Sequence, residues 1–321
     1  MKRNPLQEVR SACRTVAERA HWVAVDLERL PGYAASLPLE QALHPVIDPE
    51  SHYLGHGADT VAFFLTLDTV NFGSGYFAEL GLRPEQSGYF FVASALTERF
   101  RRHGPFSAAR LCRVTGGDCL ALLGQDARNP AAVELADLFA EALNGLGRFL
   151  TEQFDGSFTS LVEAAGGSAV RLVELLTVMP AFRDVADYHG LRVPFYKRAQ
   201  LAAADLAIAF GGRGWGRFTD LGELTLFADN LVPHVLRHDG VLVCREELAG
   251  RIDAGEPIPA GSDEEIELRA CAVHAVELLA AELARAGRPV TAMGLDQLLW
   301  NRGQQPAYRR RPRHRTKTLF Y

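Results

Sequence analysis

Along most of this chain the apolar residues recur every three or four positions, the spacing that places them on one face of a helix. Asn4-Pro5 reads as an N-cap followed by a first-turn proline, and Leu6, Val9, Cys13, Val16, Ala17 and Ala20 continue one stripe. Residues 59–70, with Val61, Ala62, Phe64, Leu65 and Leu67, read as a helix or a buried segment. A helix is predicted over residues 87–100 and another over 106–123, loosened at Gly116-Gly117. Asn129-Pro130 repeats the cap signal ahead of Leu135, Leu138, Phe139, Ala142 and Leu146. Ser168 opens a helix that stops before Pro180, and residues 201–210 form an apolar one. Residues 262–286 are long and amphipathic, start with Ser262 and Glu265 as a capping box, and are followed by a final segment opening at 296–300.

The breaks are equally informative. Residues 22–30 read as a short strand or as a continuation of the first helix, and Pro31-Gly32, Pro38, Pro45 and Pro49 cut the chain beyond them into loops and short turns. Residues 154–158 form a turn, and residues 181–190 hold a dense polar cluster of Arg183, Asp184, Asp187, Tyr188 and His189. Strand alternation is scarce, and no internal repeat or low-complexity linker interrupts the pattern. The expectation is a mainly α fold, a single helical globule with helix content well above the usual third. It leaves room for a small N-terminal lobe over about residues 1–105 beside a larger part over about 106–321.

Composition narrows the class. The 321 residues are 48% hydrophobic, enough for a sizeable core, and carry a formal charge of −5. No apolar run approaches the ~20 residues of a membrane span. Met1-Lys2-Arg3-Asn4-Pro5 leads straight into the amphipathic pattern, with no leader signature. Five cysteines (Cys13, Cys112, Cys119, Cys244, Cys271) are scattered and never form a Cys-x-x-Cys pair, so buried, reduced thiols are expected. His44, His52, His56, His234, His238 and His314 lack zinc-like spacing, and neither a metal nor a cofactor is implied. A soluble cytoplasmic protein with no membrane partner is the expectation. The mild acidity argues against a nucleic-acid partner, with one local exception: Arg309, Arg310, Arg311, Arg313, Arg315 and Lys317 form a basic run suited to phosphate. That run is either a solvated tail or docked, and the ending Leu319-Phe320-Tyr321 favours docking.

The stretch Phe227-Ala228-Asp229-Asn230-Leu231-Val232-Pro233-His234 places one carboxylate among apolar neighbours at a helix start. Asp229 is either an N-cap or an acid kept for chemistry, and a helix N-terminus allows both roles at once. Asp68 and Asn71 sit inside another apolar run, where hydrogen bonding to backbone is the default role for such groups. The glycine loop at residues 211–216 lacks the Lys-Ser/Thr of a phosphate-binding P-loop, and no strand precedes it. The order of helix, glycine loop, short helix at Thr219 to Leu224 and then Asp229, with Lys197 upstream, is similar to that of helix-hairpin-helix base-excision glycosylases.

Four stretches together are more specific. Leu67-Asp68-Thr69-Val70-Asn71-Phe72, Arg192-Val193-Pro194-Phe195-Tyr196-Lys197-Arg198-Ala199-Gln200, Phe227 to Pro233 and His314-Arg315-Thr316-Lys317-Thr318-Leu319-Phe320-Tyr321 resemble the queuosine salvage protein family. The resemblance runs over nearly the whole chain. It implies a fold similar to helical DNA glycosylases and an N-glycosylase that hydrolyses queuosine 5′-phosphate, a small-molecule substrate, releasing queuine for tRNA modification. Two departures fall near base recognition. Gly73-Ser74-Gly75-Tyr76 stands where members commonly carry Cys-Phe-Trp or Ser-Phe-Trp, and Asn230 follows Asp229 where an aromatic is frequent.

The resemblance makes Asp229 the carboxylate beneath C1′ and Lys197 a nearby cation that tunes it or binds phosphate. Lys197, Arg198, His234 and the basic C-terminus compete for the 5′-phosphate. Asp68 or Asp155 is the expected partner of the cationic amine on queuine, and His52 and Phe158 are expected pocket walls. Asn71, Phe72, Ser157, Phe195, Tyr196 and Asn230 complete the expected substrate-binding set. A DNA repair glycosylase and a non-catalytic nucleotide-binding helical protein are the rival readings; the net charge counts against the first.

Overall fold

The computed structural model describes residues 4–82 and 87–321, so Met1 to Arg3, part of the stretch read as free of a leader, lie outside the described residues. Among the described residues the chain is mainly helical, as the patterning predicts, and its few strands form two antiparallel pairs. It sorts into two compact units assembled from interleaved segments. One takes Met1–Pro45, Val185–Lys197 and Asp220–Lys317; the other takes Val46–Asp184, Arg198–Thr219 and Thr318–Tyr321.

In the first unit the helix Pro5–Arg19 starts where Asn4 Oδ1 accepts the Leu6 N–H at 2.9 Å, and packs its stripe of Leu6, Val9, Cys13 and Val16 on the long helix Asp263–Arg285. The ambiguous residues 22–30 resolve into strand Val23–Val25, paired antiparallel with Leu242–Cys244, and then helix Leu30–Ser36. Pro31 occupies the first turn of that helix, where its missing N–H costs nothing. The polar cluster at 181–190 turns out to include a hairpin, Val185–Tyr188 against Leu191–Pro194. His189 and Gly190 both adopt positive φ (52° and 81°), the geometry a two-residue hairpin turn needs. Neither strand alternates: only Tyr188 is buried in the first, and the buried residues of the second, Val193 and Pro194, are adjacent, so no period-two pattern marks them.

The helix Asp263–Arg285 is buried on nearly every side, including the charged Glu265, Glu267 and Arg269. Glu267 is fully buried and accepts the backbone N–H groups of His21 (3.0 Å), Trp22 (2.6 Å) and Val23 (3.0 Å), together with the Tyr188 hydroxyl (2.8 Å). One carboxylate thereby fixes both the strand that follows the first helix and the hairpin.

The second unit is built around helices Ala58–Thr69, Gly88–His103 and Pro130–Phe154. Ala58–Thr69 is buried all round from Thr60 to Thr69, which is why its sequence reads as a continuous apolar run. Gly116-Gly117 does not loosen a helix but begins one. Thr115 Oγ1 accepts the Asp118 N–H at 3.1 Å and Asp118 accepts the Thr115 N–H at 2.9 Å, so Gly116–Leu123 is separate from Ala108–Leu111. Gly147 lets the short helix Ala108–Leu111 lie against Pro130–Phe154: a Cβ there would come within 2.7 Å of the Ala108 carbonyl.

The keystone of this unit is Arg198, fully buried. Its guanidinium donates to the carbonyls of Asp68 (3.5 Å) and Thr69 at the end of Ala58–Thr69, to Ala181, and to Leu319 (2.7 Å). It also lies over the rings of Phe72 (4.7 Å) and Phe182 (5.4 Å). The chain's last residues are docked rather than loose: Tyr321 is buried and accepts the Gly73 N–H at 3.0 Å. Replacing Arg198 with Met strands several buried carbonyls at once, each costing about 1–3 kcal/mol. Arg198→Met is expected to lower stability by about 3 kcal/mol or more, read as a fall in the urea midpoint.

Candidate active site

The candidate carboxylate of the first unit lies within residues 227–230, and each of the four is anchored differently. The Phe227 N–H donates to Asp296 Oδ1 at 3.1 Å, and the Ala228 carbonyl accepts from Arg269 Nε at 3.0 Å. Asp229 Oδ1 accepts the N–H groups of Leu231 (2.7 Å) and Val232 (3.3 Å), the first turn of helix Leu231–His238. Asn230, buried, donates from Nδ2 to the His314 carbonyl at 3.1 Å. Asp229 is therefore a cap, as its sequence position suggests. Its Oδ2 takes part in none of these bonds, and its side chain is half-buried rather than enclosed. One oxygen is held by the helix start and the other is not.

Helix Leu231–His238 is itself held at its far end. Asp239 accepts the hydroxyls of Tyr33 (2.7 Å) and Tyr308 (2.8 Å) and pairs with Arg302 (3.2 Å). His234 lies on the buried side of the helix with Nε2 2.9 Å from the Tyr308 carbonyl, an internal tie rather than the phosphate contact its sequence allows.

Arg269 was not among the residues singled out from the sequence, yet it joins two of the motifs. While holding the Ala228 carbonyl, its guanidinium lies 3.9 Å over the Phe195 ring and pairs with Glu265 at 3.4 Å. A charged i,i+4 pair within an apolar stripe was the signal available. Phe195 is thus a platform inside the protein. Tyr196 follows with φ 52°, a left-handed conformation that a bulky residue adopts only under constraint, and its hydroxyl accepts from Arg192 at 2.7 Å. Lys197 comes next, buried at the start of helix Lys197–Ala209, four residues earlier than the apolar pattern indicates.

The candidates of the second unit take mostly structural positions. Arg198 is committed to carbonyls, so the phosphate role allowed by its sequence gives way to a clamp; burial pushes its pKa down to about 9. Phe72 is buried edge-on against Phe139 at 4.8 Å, and Asp68 is wholly buried within electrostatic reach of Arg198. Asn71 is half-buried at the helix end. His52 is buried between Phe63, Phe64, Tyr89 and Phe90, with Nδ1 2.7 Å from the Asp48 carbonyl and Nε2 2.7 Å from the Tyr89 hydroxyl. Nδ1 must carry the hydrogen there, and Nε2 accepts from Tyr89 in the neutral ring. Asp155 is the exposed, left-handed C-cap of Pro130–Phe154; Ser157 Oγ caps the next helix by accepting the Ser160 N–H at 3.1 Å; Phe158 is buried behind it. No helix among the described residues is long and apolar enough to cross a membrane.

These features define a mainly helical protein that presents a half-exposed carboxylate at a helix start, braced through four consecutive residues. The sequence matches the queuosine salvage protein family over residues 51–321. It is 38% identical to a queuosine 5′-phosphate N-glycosylase/hydrolase of Sphaerobacter thermophilus, covering 98% of this chain and 97% of that protein. Proteins of the same name are 35% identical in Dictyostelium discoideum, over 82% of this chain and 78% of the relative, and 31% identical in Mus musculus, over 97% and 98%. The chain belongs to the queuosine salvage protein family.

The buried histidines make acid stability a readout of this arrangement. Burial, with the positive neighbours His234, Arg269, Arg313 and Arg237, pushes the His314 pKa down to about 3, and burial lowers His52 and His234 as well. The unfolded chain takes up these protons near pH 6.5 and the folded chain does not, so stability is full above about pH 6.5 and falls as pH drops toward 3. Urea midpoints between pH 7 and 4 should show this loss, and His314→Gln should reduce the slope by one proton, about 1.4 kcal/mol per pH unit.

Proposed function

We propose that this protein hydrolyses the N-glycosidic bond of queuosine 5′-phosphate and releases queuine, with Asp229 as the catalytic carboxylate. The observation that carries the residue assignment is the division of labour within Asp229: Oδ1 is bound by two backbone N–H groups, and Oδ2 makes no bond to them. As the bond from C1′ to the base breaks, positive charge develops on the ribose. A carboxylate aimed at C1′ stabilises that charge, and its second oxygen orients and deprotonates the attacking water. Bracing of residues 227–230 by Asp296, Arg269 and the His314 carbonyl supports this role, because a pre-positioned anion needs no rearrangement during reaction.

The leaving base is a 7-deazaguanine, with carbon where a purine has N7, so protonation at that position is closed to the enzyme. Stabilisation of the sugar cation therefore carries more of the barrier. The electron pair of the broken C1′–N9 bond stays on the base, and the proton removed from the water by Asp229 ends on that base as queuine is released. Lys197, buried at a helix start after the strained Tyr196, serves as a cation near the substrate rather than as a Schiff-base nucleophile, since release of a free base needs only hydrolysis.

Asn caps a helix about as well as Asp, so Asp229→Asn separates fold from charge. The variant is expected to keep its helical spectrum and melting temperature while kcat falls by about 10²–10³-fold or more, measured by chromatography of queuine formed from queuosine 5′-phosphate. Queuine release at the wild-type rate would remove Asp229 from the mechanism; no queuine from the wild type would remove the activity.

A further inference from the structure

The C-terminal basic run is not one surface. In residues 313–317 burial alternates: His314 and Thr316 are buried, while Arg313 and Arg315 are half-buried and Lys317 is exposed. That period of two is the mark of an extended segment with opposite faces. The segment is pinned from Arg313's immediate neighbour onward. Asn230 holds the His314 carbonyl, the Ile258 N–H donates to the Arg315 carbonyl at 2.8 Å, and the Arg315 guanidinium is occupied by the Gly255 carbonyl at 2.8 Å.

The residue on one side of this Asn230 tie is Asp229, and the residue on the other is Arg313. The two side chains lie within electrostatic reach of each other, and Arg309 acts on Arg313 as a second positive charge. The other nearby arginines are occupied: Arg269 by Glu265 and the Ala228 carbonyl, Arg237 by Asp253 at 2.9 Å. Among the described residues the Arg313 guanidinium has neither an ion pair nor a hydrogen bond. Burial is unfavourable for a guanidinium with no hydrogen-bonded anion and lowers its pKa, which the nearby Asp229 carboxylate only partly offsets. Its five N–H donors match a phosphate oxygen pair better than a single carboxylate oxygen.

We propose that Arg313 is the specificity residue for the 5′-phosphate of the substrate, placed beside Asp229 by the hydrogen bond from Asn230 to the His314 carbonyl. This rests on the glycosidase reading and narrows it. Of the cations considered for the phosphate, Arg198 is enclosed by carbonyls, His234 is tied to Tyr308, and Lys197 and Lys317 each have an interaction within the protein, whereas Arg313 is held within electrostatic reach of the carboxylate with its donors uncommitted. It also gives Asn230 a purpose: an aromatic there would lose the amide that fixes the segment.

The test compares wild type, Arg313→Ala and Arg313→Lys with queuosine 5′-phosphate, queuosine and ribose 5-phosphate. Arg313→Ala is expected to lower the kcat/KM ratio of phosphorylated over unphosphorylated substrate at least tenfold, and to weaken ribose 5-phosphate binding, read by calorimetry, at least tenfold. Arg313→Lys, which keeps the charge and loses the fork, should fall between. Parallel losses on both substrates would mark a role exercised through Asp229 and overturn the proposal, as would unchanged ribose 5-phosphate binding or none in the wild type. A wild type that binds ribose 5-phosphate through Arg313 but releases no queuine would remove the glycosidase reading and leave the phosphate contact standing.

Discussion

A helix with three buried charged side chains is the constraint on which the first unit depends. Glu265, Glu267 and Arg269 lie on Asp263–Arg285 with almost no exposure, and charges removed from water are tolerated only when fully hydrogen-bonded. Glu267 and Arg269 meet that demand by reaching distant parts of the chain, and Glu265 by accepting the Gly261 N–H and pairing with Arg269. Glu267 gathers the N–H groups of residues 21–23 and the Tyr188 hydroxyl. Arg269 gathers the carbonyl before Asp229, the Phe195 ring and Glu265. The partners that make the charges tolerable are the segments that the site needs in fixed places, so folding and positioning of the carboxylate share one set of bonds.

The same logic governs the second unit through Arg198. A guanidinium can satisfy several carbonyls lying in different directions, whereas a lysine offers a point charge. Arg198 uses that reach to join the end of Ala58–Thr69, the turn at Ala181 and the terminal segment at Leu319. Lys197 and Arg198 are adjacent basic residues in one motif, and Arg198 becomes a structural clamp on backbone carbonyls. Residue type alone does not separate a ligand-binding arginine from a carbonyl-binding one; the local supply of unpaired carbonyls does.

Much of the fold was legible because helices announce themselves locally. The caps at Asn4, Asn129, Ser168 and Ser262, the prolines after two of them and the stripes beyond all predicted real helix starts. The misses were short elements whose signal is weak or disguised: the half-exposed hairpin at 185–194, the three-residue strand at 242–244, and the glycine pair that opens a helix instead of loosening one. Within the candidate site, Asp229 was readable as a carboxylate at a helix start. Arg313 was readable only as one of a run of cations.

The sequence by itself determined that this chain is mainly helical, that Asp229 begins a helix, and that its motifs are those of queuosine salvage proteins. Those properties reside in spacing and residue type, which act over a few positions. Tertiary structure alone decided which basic side chains are consumed by the protein and which keep their donors uncommitted. It closed Arg198 and His234 onto carbonyls and, with Asn230 holding the neighbouring His314 carbonyl, brought Arg313 within electrostatic reach of Asp229. Such choices depend on contacts between residues as far as 130 positions apart, and no local pattern encodes them.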